Sequence, residues 1–341
     1  MKQATKPFGT PLHALLVVAL LMAGLVMLTW AMAQPSQAST PVEAQTQSAQ
    51  ESVHAASSTL QVTQPMTVYL PMVGRSLPRV QILGTEMWWI GPSHGSQLAV
   101  DAGIYWVRFD AFHWDEIEPQ PGTYLWNSVD EGSLKRAADN GFEVIATIKF
   151  TPAWAQKVPD FSCGPIKRDA LDDYARFLEA VVKRYSAPPY NVRYWELGNE
   201  PDIDPRPGLR LDEIYGCWGD QDDPYYGGGY YAEMLKAAYP AIKAADPGAQ
   251  VLIGGLLLDC DPTNPPQGKT CAPAHFFEGI LRNGGADYFD IVSFHSYPIF
   301  LGTLNTSENF STWDARGGIV LGKVDFLREV MSRYGVNKPI L

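Results

Sequence analysis

Cysteine is scarce in this chain. It has four, Cys163, Cys217, Cys260 and Cys271, and none stands in a C-x-x-C pair. Thiolate zinc sites are built from such pairs, so the spacing argues against one. Basic residues are outnumbered too. Lys and Arg total 26 against 37 Asp and Glu, leaving a formal charge of −11. A nucleic-acid binder needs a basic footprint, and this chain is a poor candidate for one. The six histidines are scattered without ligand spacing, so no catalytic metal is expected. No glycine-rich dinucleotide fingerprint follows the first expected strand, and no cofactor is expected.

One long apolar run is present. Residues 12 to 33 read "LHALLVVALLMAGLVMLTWAMA", with Lys2 and Lys6 before them and Ala31-Met32-Ala33 at the end. A charged start, an apolar middle and a small-x-small site form the layout of a secretory signal. Cleavage after Ala33 is favoured over an uncleaved membrane anchor, although the run is long enough to span a bilayer. Residues 34 to 66 are rich in Gln, Ser, Thr, Ala and Pro. They cannot bury enough apolar surface to offset ordering, so a flexible linker is expected. Residues 67 to 78 form a short docking segment, and the globular domain runs from 79 to 341. Export and an even cysteine count favour disulfides, with Cys260–Cys271 and Cys163–Cys217 the expected pairing. The expected location is secreted or cell-surface; oligomeric state is left open.

From residue 79 strands and helices alternate. Strands are expected in "VQILGTEMWW", "IYWVRFD", "FEVIATIKF", "NVRYWELGN", "QVLIGGLLL" and "DIVSFHSYP", and "KPIL" reads as the start of a seventh. The clearest helix is "DALDDYARFLEAVVKRYS", where Leu171, Tyr174, Ala175, Leu178, Val181, Val182 and Tyr185 recur at helical spacing. This alternation predicts a parallel sheet covered by helices. The strands are apolar on both sides, as a doubly covered sheet requires. An open doubly wound sheet competes with a (β/α)8 TIM barrel. The strand-to-helix loops are long and carry the unusual residues, including Trp114, Trp154, Glu200, Cys217, His295 and Trp313, while the opposite loops are short. A barrel concentrates function at that end, so the barrel is preferred.

"YWELGNEPD", residues 194 to 202, begins as a buried strand and ends on an amide, an acid and a proline. A lone Glu at a strand end is by default a cap or a surface ion pair. Here Asn199, Pro201 and neighbouring aromatics favour a different role. A sugar site needs aromatic faces, amides and carboxylates, and a glycosidic bond needs a carboxylic acid to protonate its leaving oxygen. Burial among aromatics would keep that acid protonated.

"WELGNEP" resembles the fourth-strand motif of the clan A glycoside hydrolases, retaining (β/α)8 glycosidases. "VRFDAFHWDEIEPQPGTYLW" is similar to their second strand and loop, "TPAWA" to their third loop and "IVSFHSYP" to their sixth strand. Family 39 is nearest and family 5 next, over residues 79 to 341. The resemblance implies Glu200 as acid/base, Asn199 on the sugar hydroxyl beside the reacting carbon, and Arg108 supporting the nucleophile. His295 and Tyr297 would line the site, with the Tyr hydroxyl near that nucleophile. Trp114 and Trp154 would be stacking platforms. Each has a plainer reading: a barrel salt bridge from Arg108 to Glu196, a satisfied core histidine, and loop-packing tryptophans. Glu196 shares strand parity with Glu200 but lies deeper and reads as structural.

A retaining site needs a second carboxylate about 5–5.5 Å from the first. In the clan it closes strand seven, in text resembling "KPI" followed by an apolar residue, any residue and T-E. "KPIL" ends at Leu341, so the nucleophile is expected just beyond it, in a barrel cut short after about six and a half units, and the 341 residues alone are expected to be inactive. Glu86 after Thr85 is a weaker internal substitute. The partner expected is a polysaccharide or oligosaccharide. A non-catalytic carbohydrate-binding barrel is the alternative, and an aldolase using Lys149 a weaker third. Tyr225, Tyr226, Tyr230 and Tyr231 of "YYGGGYY" edge a subsite or merely lead into the next helix. Asn305 and Asn309 fit glycosylation sequons.

Overall fold

The computed structural model describes residues 80–204, 216–297 and 312–341. The signal or anchor segment, the linker, residues 67–78 and both sequons lie outside them. Among the described residues no helix is long and apolar enough to cross a membrane.

The elements run β1 (Val80–Met87), α1 (Ser96–Asp101), β2 (Ile104–His113), α2 (Trp114–Ile117), α3 (Glu131–Asp139), β3 (Glu143–Lys149), α4 (Leu171–Tyr185), β4 (Tyr194–Asn199), α5 (Gly228–Ala245), β5 (Gln250–Gly255), α6 (His275–Arg282) and α7 (Ile319–Arg333). Local chemistry sets several of these bounds. Asp130 caps α3 by accepting from the Ser133 amide at 2.9 Å, and Gly141 beyond its end takes the left-handed φ of 65°. The buried side of α4 is Tyr174, Phe177, Leu178, Val181, Val182 and Tyr185. Phe177 adds to the expected stripe, and Leu171 and Ala175 are half-buried at its margin.

The five strands form one sheet in the order β1-β2-β3-β4-β5, every neighbouring pair parallel. The order continues beyond β5. Parallel bridges join Leu252 to Ile291 and Leu256 to Phe294, and another joins Val292 to Ile340. The expected sixth strand is thus present as short bridged pairings around residues 291–294. Its partner is the "KPIL" segment: Leu341 donates its amide to Val292 at 2.8 Å, and Phe294 donates to Leu341 at 3.1 Å. A doubly wound sheet reverses its strand order at a switch point. Seven consecutive parallel segments without reversal have the order of a (β/α)8 barrel, and the chain forms a partial one.

The inner strands β3 and β5 are buried on both faces, while β1 at the edge is largely exposed. Val144 to Ile148 of β3 are all buried, as are Val251 to Gly255 of β5. Outward residues meet the helices: Trp195 stacks on Phe112 with ring centroids 5.6 Å apart, and Phe112 meets Tyr185 of α4 at 4.9 Å. Inward residues meet each other. Glu196 on β4 accepts from Arg108 of β2 (2.7 Å), Thr147 of β3 (3.2 Å) and Ser293 beyond β5 (2.9 Å). Side chains from segments this far apart in sheet order converge only where the sheet curls.

Two disulfides tie loops at the carboxyl ends of the strands, in the expected pairing. Cys163–Cys217 joins the loop after β3 to the loop after β4, and Cys260–Cys271 closes the loop after β5. The first spans 54 residues of chain. Replacing Cys163 and Cys217 together by Ser should lower unfolding stability by about 2–4 kcal/mol. Denaturant melts of both proteins measure this; an unchanged midpoint would show that the loops are held without the bond.

Candidate active site

β4 places two carboxylates at different depths. Glu196 and Glu200 are both 1 % exposed. Glu196 lies within the inward layer. Glu200 follows the last strand residue and takes the left-handed φ of 46°, and Gly198 two residues earlier has φ 92°. A non-glycine residue in that region stores roughly 1–3 kcal/mol, held only where its surroundings over-determine it. The Glu200 amide is pinned to the Gly255 carbonyl at 3.0 Å, which turns its side chain out of the strand's alternation.

Glu200 Oε1 meets two partners. His295 Nδ1 lies at 2.7 Å, and the Tyr297 hydroxyl donates to the same oxygen at 3.3 Å. The hydroxyl is also 3.0 Å from His295 Nδ1. One proton therefore sits between carboxyl and imidazole, on either atom. Among the described residues nothing bonds the other oxygen, Oε2, although it is buried. A buried carboxylate oxygen left without a hydrogen bond is costly. Gly255 makes room for the imidazole: a Cβ there would stand 2.2 Å from His295 Nε2. The Tyr297 phenol is held above its usual titration range, first by burial and then by the Glu200 carboxylate.

Arg108 links the two depths. Its Nε donates to Glu196, one Nη to Glu86 and the other to the Asn199 side-chain oxygen, each at 2.7 Å. Burial works against its charge, and Glu196 and Glu86 overcome that and hold the guanidinium above its ordinary range. The salt bridge to Glu196, the plainer reading of Arg108, is thus formed. It coexists with a grip on Asn199, the residue next to Glu200, so the ion pair also aims the carboxamide.

The expected stacking role of Trp114 does not hold. Trp114 is 1 % exposed and packs against Tyr174 and Phe177, with its indole N–H donating to Glu118 at 2.7 Å. It is a core anchor because α2 turns it under the loop. Trp154 is half-buried, edge-on to Trp114, and donates to the Glu118 carbonyl at 3.1 Å. The exposed tryptophans at a strand end are Trp88 and Trp89, just after β1; reading them as part of the strand hid this. The tyrosine-rich stretch is also partly structural. Tyr231 is fully buried and bonds the Leu197 carbonyl and, at 3.0 Å, the Gly254 amide. Lys149, the lysine an aldolase would use, is paired with Asp110 at 2.6 Å.

Asp202 was not singled out by sequence. It is buried two residues after Glu200 and accepts from the amides of Leu257 (2.9 Å) and Leu258 (2.8 Å). Burial pushes its carboxyl up to about 6, against the pull of those amides, and Glu200 adds to the rise. Among the described residues no group of three or more His, Cys, Asp or Glu is placed to hold a metal ion.

A family model described as Beta-galactosidase matches residues 94–169, from the start of α1 past β3. No curated protein matches the chain. Similar solved structures include a family 39 glycoside hydrolase from Bacteroides cellulosilyticus WH2, 20% identical over 62% of this chain and 37% of that one, TM-score 0.43. A GH39 beta-xylosidase from Caulobacter crescentus is 21% identical over 78% of this chain and 54% of that one, TM-score 0.46. A glucosidase from Croceicoccus marinus is 15% identical over 78% and 51%, TM-score 0.47. The chain thus spans 37% to 54% of the length of these structures. The family-model match agrees with the resemblance to clan A glycoside hydrolases carried by the motifs. The fold rests on the sheet order described above.

Asp202 gives a pH signature. Its folded-state value lies above the ordinary 3.8, so its contribution to stability is complete below about pH 4 and is lost as pH rises through about 6. The difference amounts to roughly 3 kcal/mol at most. Asp202→Asn should flatten the fall in stability between pH 4 and 6.5, measured by denaturant melts across that range. An unchanged slope would place the titration elsewhere.

Proposed function

We propose that the protein hydrolyses O-glycosidic bonds in a polysaccharide or oligosaccharide by a retaining double displacement, with Glu200 as the acid/base. One observation carries the reading: at the carboxyl end of β4 a buried glutamate shares a proton with His295 through Oε1, while Oε2 has no bonding partner among the described residues.

The reaction needs a proton delivered to the leaving oxygen and then withdrawn from an attacking water. Glu200 can do both through Oε2, since His295 and Tyr297 fix its other oxygen and therefore its plane. The pinned backbone keeps that oxygen in a set position at the carboxyl end of β4, and pre-set geometry of this kind lowers the barrier without reorganisation. Asn199, held by Arg108, is placed to bond the hydroxyl beside the reacting carbon. Arg108 is placed to support the anionic partner of Glu200 at the neighbouring strand ends. The second carboxylate of the retaining pair belongs, by the clan pattern, to the end of strand seven. Trp154 remains a candidate wall of the sugar site, and Trp114 acts beneath it. The export signature of residues 1–33 and two disulfides support action outside the cytoplasm.

Glu200→Gln in the full enzyme should cut turnover of glycosides with poor leaving groups by about 10²–10⁴-fold. Aryl glycosides whose leaving group needs no proton should lose less in the first step. A panel of aryl glycosides of graded leaving-group acidity measures the split. Equal, mild losses across the panel would remove Glu200 from the role. Sugar binding without turnover in the unmutated enzyme would favour a carbohydrate-binding barrel.

A further inference from the structure

A lysine stands in the apolar stripe of α7. Ile319, Phe326, Leu327, Val330 and Met331 bury against the barrel, and Lys323 in the same stripe is fully buried with them. A buried ammonium costs several kcal/mol unless hydrogen bonds and charge offset it. Lys323 Nζ donates to the Leu257 carbonyl at 2.6 Å and to the His295 carbonyl at 3.0 Å. Those two residues lie just beyond the ends of β5 and the sixth strand segment. The Leu257 amide is in turn bonded by Asp202, the His295 amide donates to the Leu256 carbonyl at 2.8 Å, and the His295 ring lies on Glu200. The contacts close a ring from Glu200 through His295, Lys323, Leu257 and Asp202 back to the β4 loop.

We propose that Lys323 is a positioning residue for the Glu200–His295 pair: its ammonium holds the ends of β5 and the sixth segment at the spacing that seats the imidazole on Glu200 Oε1. Three carboxylates favour its charged form: Asp202 and Glu200 from the β4 loop, and Asp259 from the loop after β5. From the sixth segment His295 meets it through its carbonyl. The nearby Arg316 is engaged elsewhere, by Asp261, Asp325 and Glu329. Burial nevertheless lowers the Lys323 ammonium to about 8. As pH rises through that value Lys323 loses its charge and one of its three donor protons, and its charge-assisted hold on the two carbonyls weakens. The consequence for catalysis rests on Glu200 being the acid/base; the seating of the imidazole does not.

The test reads His295 directly, in the full chain labelled with ¹⁵N-histidine. The His295 ring signal should show an inflection near pH 8 that Lys323→Met abolishes, with the signal already displaced at pH 7 in that variant. Met fills similar volume, so thermal stability alone would not reveal the role. Asp202→Asn removes an anion that favours the ammonium, and should move the inflection to lower pH. In the full enzyme Lys323→Met should lower kcat by roughly 10²-fold with KM little changed, the size expected of a misplaced catalytic group. A folded Lys323→Met chain with the His295 signal unmoved would overturn the proposal. So would an unmodified chain whose signal is flat from pH 7 to 9. Should Lys323→Met not fold, an inflection unmoved by Asp202→Asn overturns it. If no glycoside is turned over by any form, the hydrolase reading fails while the ring signal still decides the role of Lys323.

Discussion

The Arg108–Glu196 ion pair lies where the structural and functional demands on this barrel meet. Glu196 accepts from three other segments of the curled sheet, and Arg108 extends from it to Glu86 and Asn199. Removing Arg108 would leave the Glu196 carboxylate buried without a counter-charge, a loss of about 3–5 kcal/mol. The same fork sets the orientation of the residue that precedes Glu200. A position used only for stability could be filled by apolar side chains at little cost; a guanidinium gripping a carboxamide at the barrel mouth cannot.

Above that layer the site is built from backbone exceptions. Gly198 and Glu200 adopt left-handed angles, and Gly254 and Gly255 end β5 without side chains, so the imidazole of His295 can lie over the strand. These features explain why a strand rich in aromatics stops on "NEP". The strand continues as far as its inward residues can pair, then turns so that the Glu200 carboxylate meets His295 and Tyr297 beyond the strand end.

Much of this was legible in the sequence, for identifiable reasons. Strand order, the α4 stripe and both disulfides follow from periodicity and cysteine placement, which report local structure. Glu200, Asn199, Arg108, His295 and Tyr297 were singled out from motifs on the strands and the loops after them, and the structure bonds Arg108 to Asn199 and Glu200 to His295 and Tyr297. Trp114 was misjudged because a loop tryptophan carries no sign of which way its short helix turns it. Trp88 and Trp89 were hidden by extending β1 two residues too far. Asp202 was passed over because its partners are backbone amides, which leave no trace in sequence. Lys323 did leave one: a single charge in an otherwise apolar helical stripe, a pattern that burial makes expensive and that therefore needs a reason.

The central claim is that Glu200 Oε2 is the atom presented to the glycosidic bond. The most direct measurement is a crystal structure of the full enzyme bound to an oligosaccharide with a sulfur-linked, uncleavable bond at the scission point. The account expects the linking sulfur within hydrogen-bonding reach of Oε2, with His295 still on Oε1. A sugar bound with its linkage away from Glu200, and Oε2 facing no ligand atom, would contradict it.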